Sequence, residues 1–234
     1  TRLVNENPDI SKAKEFCEMA TKEIDAEAPA ARRNCFHGIG HGFIEDPLGE
    51  EYWGKPRELW SRAFPYCDHI SDNPSEVEEC IEGAFNGVVI FMEQGRYNFS
   101  LDRSDLFKWC RDEPEEYQQG CYYEFGQKID SVIKNDLSKL APALKDVPEK
   151  YRVLISHVAG AGVMQHMISN ESHVVQYQQC ASLKDREIRD GCLNGIVGGY
   201  RAHGEPGTSH ERALKYCAMP EMLDGDRQNC YSQL

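Results

Sequence analysis

Apolar residues recur at helical spacing along the chain, and the segments that carry them come in pairs. The first member of a pair ends with an aromatic residue beside a cysteine, as in SKAKEFC, RELWSRAFPYC, RSDLFKWC and SHERALKYC. A polar turn with Pro, Asp or Gly follows, and a second helical segment begins just before another cysteine. Apolar residues spaced three and four apart predict amphipathic α-helices, so the chain is predicted to form a series of α/α hairpins.

The sequences of the second helices can be aligned at their cysteine, or at the isoleucine that replaces it in one unit. The aligned segments are CFHGIGHGF, CIEGAFNGV, CYYEFGQKI, ISHVAGAGV and CLNGIVGGY. Positions one, four, five and eight after the cysteine are mostly apolar or small, which predicts the buried face. A stripe through positions three and seven is often glycine, which costs about 1 kcal/mol in a helix interior. We expect close backbone approach to the first helix of the hairpin to compensate at Gly38, Gly42, Gly83, Gly87, Gly195 and Gly199.

A turn sequence that occurs twice indicates that the hairpins repeat one unit. RDEPEEYQQG lies between Cys110 and Cys121, and KDVPEKYRVL lies 34 residues later between Leu144 and Ile155. A disulfide in one copy and an apolar pair in the other occupy the same place. The frame predicts six units that recur every 34 to 45 residues, a period typical of stacked helical hairpins. The predicted disulfides are Cys17–Cys35, Cys67–Cys80, Cys110–Cys121, Cys180–Cys192 and Cys217–Cys230.

The predicted fold is therefore all-α, a superhelix or solenoid of about six disulfide-stapled α/α hairpins. We expect it to form a single α/α-repeat domain over residues 1–234, because each unit of such a repeat contacts mainly its neighbours. The predicted units lie near residues 9–45, 57–95, 102–132, 136–169, 173–202 and 209–234, and residues 45–56 form an inserted loop.

Composition restricts the compartment and the partners. Ten cysteines in five short-range pairs predict an oxidising compartment, so the protein is expected to be secreted, periplasmic or on the cell surface. The net charge of −13, without a basic patch, argues against a nucleic-acid partner. The longest strongly apolar run, near Val88–Met92, is too short to cross a bilayer, so no transmembrane segment is predicted. We expect the chain to begin after a cleaved signal peptide.

Two segments resemble a known repeat family. GYRAHGEPGTSHERALKYC, followed by Cys230, is similar to the Sel1-like branch of the tetratricopeptide superfamily, and MEQGRYNFSLDRSDLFKWC resembles it too. The stapled hairpins resemble in particular the cysteine-rich Sel1-like proteins of Helicobacter. The resemblance implies a right-handed α/α superhelix, a secreted location and a role in binding partners. It implies no catalytic residue.

Positions two and six after the cysteine form a polar row opposite the buried face. Of its ten residues only Glu82 is charged, whereas 28% of the whole chain is charged. A weakly charged, histidine-rich row suits the concave groove of a superhelix. The alternative is that these side chains form a polar seam whose hydrogen bonds are made with backbone groups and water. Besides two histidines in the first unit and Glu82, the residues expected to bind ligand in this groove are Asn86, Tyr123, Gln127, His157 and Asn194.

The motif HGIGHG places His37 and His41 four residues apart on one helix face, a spacing at which both imidazoles can bind one metal ion. Glu82 holds the equivalent place in the next unit. Two imidazoles and a carboxylate suit Zn²⁺, Cu²⁺ or Fe²⁺ with an open coordination position. The inserted loop follows this motif, and we expect Tyr52 and Trp53 in the loop to cover the histidines.

Three classes of function remain open at this point. The first is a secreted helical-repeat protein that binds a peptide, protein or glycan in its groove, with a transition metal at His37 and His41. The second is a Zn-, Cu- or Fe-dependent enzyme centred on His37, His41 and Glu82. The third is a structural surface or assembly protein that self-associates. Stoichiometric metal would favour the second class.

Overall fold

The computed structural model describes residues 10–22, 28–44, 49–167, 173–203 and 207–234, and over these residues the protein is all-helical, without a β-strand. The predicted all-α class is therefore confirmed. The α-helices of the described chain are α1 (Ile10–Lys22), α2 (Ala28–Gly42), α3 (Pro56–Ser61), α4 (Phe64–Cys67), α5 (Pro74–Gln94), α6 (Glu115–Gly126), α7 (Asp130–Ile133), α8 (Leu140–Ala143), α9 (Glu149–Met167), α10 (His173–Ala181), α11 (Arg186–His203), α12 (Ser209–Cys217) and α13 (Asp224–Ser232). Short 3-10 helices span Glu50–Tyr52, Arg96–Asn98, Cys110–Asp112 and Leu137–Lys139.

The chain divides into two compact units, Thr1–Phe125 and Gly126–Leu234. In the first unit the most extensive helix pair is α2 with α5, and in the second it is α9 with α11. All four of these helices are second helices of the predicted hairpins. Among the described residues, no helix combines the length and the apolar character that a membrane crossing requires.

All ten cysteines form the five disulfides that the sequence predicts. Two disulfides join the end of one helix to the second turn of the next long helix, namely Cys67 of α4 with Cys80 of α5 and Cys180 of α10 with Cys192 of α11. Elsewhere the second cysteine lies further along its helix, Cys35 in the middle of α2 and Cys230 in the last turn of α13. Leu144 and Ile155, which replace a cysteine pair in the sequence frame, are both fully buried. Five disulfides are typical of proteins in an oxidising compartment.

The buried face of the second helices follows the predicted register. Trp60 from α3 lies at the centre of the first unit's core, with its ring centroid 5.2 Å from that of Phe85 and 6.0 Å from that of Trp109. The predicted inward positions are all buried, namely Phe36, Ile39 and Phe43 of the first hairpin, Ile81, Ala84, Phe85 and Val88 of the second, and Leu193, Ile196, Val197 and Tyr200 in α11.

Helix α5 carries two of the predicted site residues, and its ends are defined by local chemistry. Asn73 precedes it, and its side-chain oxygen accepts a hydrogen bond from the backbone N–H of Ser75 at 3.1 Å. Pro74 occupies the first helical position, where its missing N–H costs no hydrogen bond. Gly95 ends the helix in the left-handed conformation, with φ of 65°, which glycine adopts without a steric penalty.

The glycines of the first unit bring α2 and α5 into backbone contact. A Cβ atom on Gly83 would lie 2.0 Å from the carbonyl oxygen of His37, and one on Gly40 would lie 1.9 Å from that of Cys80. The expected partner of Gly83 was the first helix of its own hairpin, whereas the structure places it against the second helix of the preceding hairpin. Gly38, on the predicted stripe, would meet nothing within 4 Å, so that position does not need glycine for packing.

The second unit contains the same kind of contact between α9 and α11. A Cβ atom on Gly195 would lie 2.1 Å from the carbonyl oxygen of His157, and one on Gly160 would lie 2.3 Å from that of Cys192. In the aligned frame His157 corresponds to His37 and Cys192 to Cys80. Each unit therefore contains one helix pair held at very close range by two glycines.

Candidate metal centre

Three helices of the first unit bring one imidazole and two carboxylates together. His37 from α2, Glu82 from α5 and Glu124 from α6 each offer one ligand atom, and these atoms all lie within 4.8 Å of one another. Each of the three residues follows a disulfide-bonded cysteine by two or three positions, and those cysteines are Cys35, Cys80 and Cys121. The disulfides therefore restrain each helix close to its ligand.

Small residues create the space in which these side chains meet. The Gly83 contact with the backbone of His37 sets the spacing of α2 and α5. A Cβ atom on Gly120 would lie 3.1 Å from Cγ of Glu82, so α6 also approaches that side chain closely. The cluster is partly closed to solvent, because Glu124 is only 1% exposed while His37 and Glu82 are half-buried.

Burial changes the protonation of this cluster. Burial raises the pKa of Glu82 to about 9, and the nearby carboxylates of Glu124 and Glu79 add to the effect. Burial also lowers the pKa of His37 to about 4, with a further contribution from His41. At neutral pH the His37 imidazole is therefore uncharged, the form that binds metals. Two carboxylates this close repel each other, and a bound cation would relieve that repulsion.

Neighbouring polar groups hold the candidate ligands in place. Asn86, one turn after Glu82 on α5, donates a hydrogen bond from Nδ2 to Oε2 of Glu124. Nδ1 of His37 lies 3.8 Å from Oε2 of Glu79. The hydrogen bond from Asn86 is an outer contact of the kind that orients a metal-binding carboxylate, whereas the separation of His37 and Glu79 is too long for a hydrogen bond.

Two of the three predicted metal ligands, His37 and Glu82, meet in this cluster. His41 lies beside it, with its ring centroid 5.1 Å from that of His37 and the two rings inclined at 55°. A Cβ atom on Gly87 would lie 3.4 Å from Nδ1 of His41, so the small residue at that position leaves room for the ring.

The sequence prediction missed Glu124. It occupies the third position after Cys121, where the aligned helices have Gly38, Gly83, Val158 and Gly195. A carboxylate on a stripe otherwise made of small or apolar residues was the available signal, since buried charge is rare without a partner.

The predicted groove residues divide between the two units. Asn86 and Tyr123 are half-buried in the first unit. In the second, Gln127 is exposed just beyond the end of α6, and His157 is exposed on α9. Asn194 is half-buried on α11, and its Oδ1 accepts a hydrogen bond from Nδ2 of Asn229 at 2.9 Å.

Asn194 also lines an open cavity of about 460 Å³ on the second unit. The cavity lies between α9 and α11, and its lining includes three carboxylates and one ammonium group. Besides Asn194, the lining residues are Glu149, Lys150, Val153, Glu187, Asp190 and Gly191.

The aromatic residues of the inserted loop pack against other side chains of the first unit. The guanidinium of Arg62 lies 5.1 Å from the ring centroid of Tyr52. The ring centroid of Trp53 lies 6.0 Å from that of Tyr97, and the backbone N–H of Gly54 donates to the carbonyl of Tyr97 at 2.9 Å. Residues 45–48 of the loop lie outside the described part of the chain. These contacts attach the loop to the segment that follows α5.

No known protein family and no solved structure matches this chain. A stretch of 55 residues is 36% identical to part of a protein from Nitrosomonas europaea named phosphatidylglycerol–prolipoprotein diacylglyceryl transferase. The stretch covers 23% of this chain and 19% of that protein. The chain thus matches about a fifth of the length of this curated relative, which leaves the family of the whole chain open.

Proposed function

We propose that this protein is an exported, disulfide-stapled helical protein that binds a divalent transition-metal ion through His37, Glu82 and Glu124. The observation that carries the proposal is the convergence of three ligand atoms within 4.8 Å from three separate helices. When an ion displaces the proton of Glu82, a neutral imidazole and two carboxylates bring two negative charges, which one divalent ion balances. This balance matters because a buried charge without a partner is costly.

The donor atoms restrict the kind of metal. All ten cysteines are in disulfides, so the site offers nitrogen and oxygen donors and no thiolate. Imidazole suits Zn²⁺, Cu²⁺ and Fe²⁺, whereas carboxylate oxygens suit Mn²⁺. The mixed set at His37, Glu82 and Glu124 favours Zn²⁺, Fe²⁺ or Mn²⁺.

An enzymatic role is a second candidate for the same site. Catalytic zinc sites typically have three protein ligands and keep a further position for water or substrate. One imidazole and two carboxylates give that ligand count. In this role the protein residues would hold the ion, and His41 or Glu79 beside the site would be available to exchange protons with a bound water.

Elemental analysis of the protein as isolated tests the metal proposal. Protein exported to an oxidising compartment and purified without chelator should contain about one Zn, Fe or Mn per chain. His37→Ala should contain none. His157→Ala is the matched control, because this histidine occupies the equivalent position in the second unit, and it should keep its metal. Wild-type protein that binds none of these ions, even after incubation with each, would contradict the proposal.

Ligand binding in the cavity beside Asn194 is a further candidate. Its volume of about 460 Å³ lies within the usual range of ligand pockets, roughly 300–1,000 Å³. Asp190 is paired with Arg186 at 3.4 Å and with Arg189 at 3.2 Å, but Glu149 and Glu187 still outnumber the one ammonium group. This balance favours a cationic partner, such as a Lys- or Arg-containing peptide, over a neutral glycan. A labelled Arg-rich peptide should bind wild-type protein more tightly than Glu187→Gln, and a neutral oligosaccharide should not compete. Equal binding to both proteins would argue against this cavity.

We also propose that the six predicted hairpins form one secreted superhelix. Support comes from the matching glycine contacts, in which Gly83 meets His37 in one unit and Gly195 meets His157 in the other. The regular disulfides give further support. Small-angle X-ray scattering should show a monomer elongated beyond a globular chain of this length. A concentration-dependent increase in mass would instead favour the self-associating structural protein.

A further inference from the structure

One polar residue beside the candidate metal centre bears no charge. Asn86 donates from its side-chain amide to Oε2 of Glu124, and it lies one turn from Glu82 on the same helix. A carboxylate has two oxygens, so a hydrogen bond at Oε2 is compatible with Glu124 also contributing to the binding of an ion. Because an amide can donate two hydrogens but carries no charge, Asn86 orients Glu124 without changing the charge of the site.

The charge of the surroundings makes this neutrality important. Glu79 is the next carboxylate beside the cluster, and Nε of Arg33 lies 3.8 Å from its Oε1. That ion pair offsets the charge of Glu79. Glu82 and Glu124 then supply the two negative charges nearest the ion, and an aspartate at position 86 would supply a third.

We propose that Asn86 determines the charge selectivity of the metal centre, because it orients Glu124 as a neutral donor and so keeps the site matched to a divalent ion. This inference rests on the proposed binding of metal at His37, Glu82 and Glu124. Asn86 is a positioning residue in this scheme and not itself a ligand. An ion of charge three gains more from an added carboxylate than an ion of charge two, since the Coulomb energy scales with the product of the charges.

The test compares Mn²⁺ and Tb³⁺ as probes of similar oxygen preference and different charge. Chelator-treated wild type, Asn86→Asp and Asn86→Leu are titrated with Mn²⁺, followed by electron paramagnetic resonance, and with Tb³⁺, followed by luminescence. We expect Asn86→Asp to raise the ratio of Tb³⁺ to Mn²⁺ affinity at least tenfold. Asn86→Leu removes the donor to Glu124 and adds no charge, so both affinities should fall while their ratio stays the same.

The control variant is Asn229→Asp. It disrupts a similar amide contact, from Asn229 to Asn194, inside the second unit, and it should leave both metal affinities unchanged. A general loss of stability would alter the two affinities together, so a change in their ratio isolates charge selectivity. The ratio is therefore a readout that a purely structural role of Asn86 would not change.

Two results would overturn the inference while leaving metal binding in place. One is an unchanged ratio in Asn86→Asp, and the other is wild-type Mn²⁺ affinity in Asn86→Leu. If wild-type protein binds Zn²⁺ or Fe²⁺ but neither probe ion, the role of Asn86 fails while the metal function stands. If it binds none of Zn²⁺, Fe²⁺ and Mn²⁺, the proposed metal function itself is wrong, and the role of Asn86 fails with it. Since wild-type Mn²⁺ affinity in Asn86→Leu would overturn the inference by itself, the inference can still be contradicted even if Asn86→Asp does not fold.

Discussion

Gly83 packs so closely on the carbonyl oxygen of His37 that a Cβ atom at this position would lie 2.0 Å from that oxygen. Gly40 makes the reciprocal contact with the backbone of Cys80. Because backbone atoms cannot rotate away as a flexible side chain can, the two glycines fix the spacing of α2 and α5. That spacing places the imidazole of His37 beside the carboxylate of Glu82, so the close contact serves both the fold and the candidate site.

Alanine substitutions in α2 test this contact. Gly40→Ala would force the two helices apart, and we expect it to lower the free energy of unfolding by about 2–4 kcal/mol. Gly38→Ala, two residues earlier in the same helix, meets nothing within 4 Å and should raise it by up to about 1 kcal/mol, because alanine favours the helix. Chemical denaturation of the metal-free proteins measures both. Similar effects of the two substitutions would contradict the packing argument.

A second pair of variants distinguishes the ligand set in the structure from the one that the sequence predicts. Glu124→Gln removes a ligand and nearly preserves shape, so Zn²⁺ affinity should fall by more than the roughly 10- to 100-fold that the loss of an outer contact costs. His41→Ala removes a neighbour of the cluster and should cost about tenfold or less. Isothermal titration with Zn²⁺ measures both affinities. The opposite order would restore His37, His41 and Glu82 as the ligand set.

The stability of the metal-free protein should depend on the protonation of Glu82. Its folded pKa of about 9 lies well above the unfolded value of about 4.3. Between these values the folded state binds more protons than the unfolded state, so the free energy of unfolding falls as pH rises. The slope from this group is at most about 1.4 kcal/mol per pH unit. Its stabilising contribution is complete below the unfolded pKa and is lost by about pH 9.

The variant Glu82→Gln is neutral at every pH and should reduce this slope. Urea denaturation of chelator-treated wild type and variant, from pH 5 to pH 9, compares the two directly. Relative to wild type, the variant should gain stability as pH rises. Parallel pH profiles would show that Glu82 does not retain a proton in the folded protein.

The sequence predicts what depends on local spacing. The disulfide between Cys110 and Cys121 and the buried positions Ile81 and Phe85 follow from short-range periodicity, and the structure confirms them. Glu124 could not be placed in the same way, because its meeting with Glu82 depends on how closely α6 approaches α5.

The partner of Gly83 was mispredicted for a related reason. Periodicity shows which face of a helix carries small side chains. Tertiary contacts determine which other helix packs on that face. The repeat frame shows which positions of different hairpins are equivalent, but it gives no distance between their side chains. The frame therefore places His37 and Glu82 at equivalent positions, and the structure brings them together, whereas the approach of Glu124 does not follow from the frame.

The disulfides should contribute unequally to metal binding, and two of them form a matched pair. Cys67–Cys80 and Cys217–Cys230 both span 13 positions, so their removal should cost similar stability, about 2–4 kcal/mol in each case. Of these four cysteines, Cys80 alone lies two residues before a candidate metal ligand, Glu82. Cys67→Ala/Cys80→Ala should therefore weaken Zn²⁺ binding at least tenfold, because the helix start that positions Glu82 becomes less restrained. Cys217→Ala/Cys230→Ala should bind Zn²⁺ like wild type at a temperature where both variants remain folded, and equal affinity of the two variants would show that the disulfides do not organise the site.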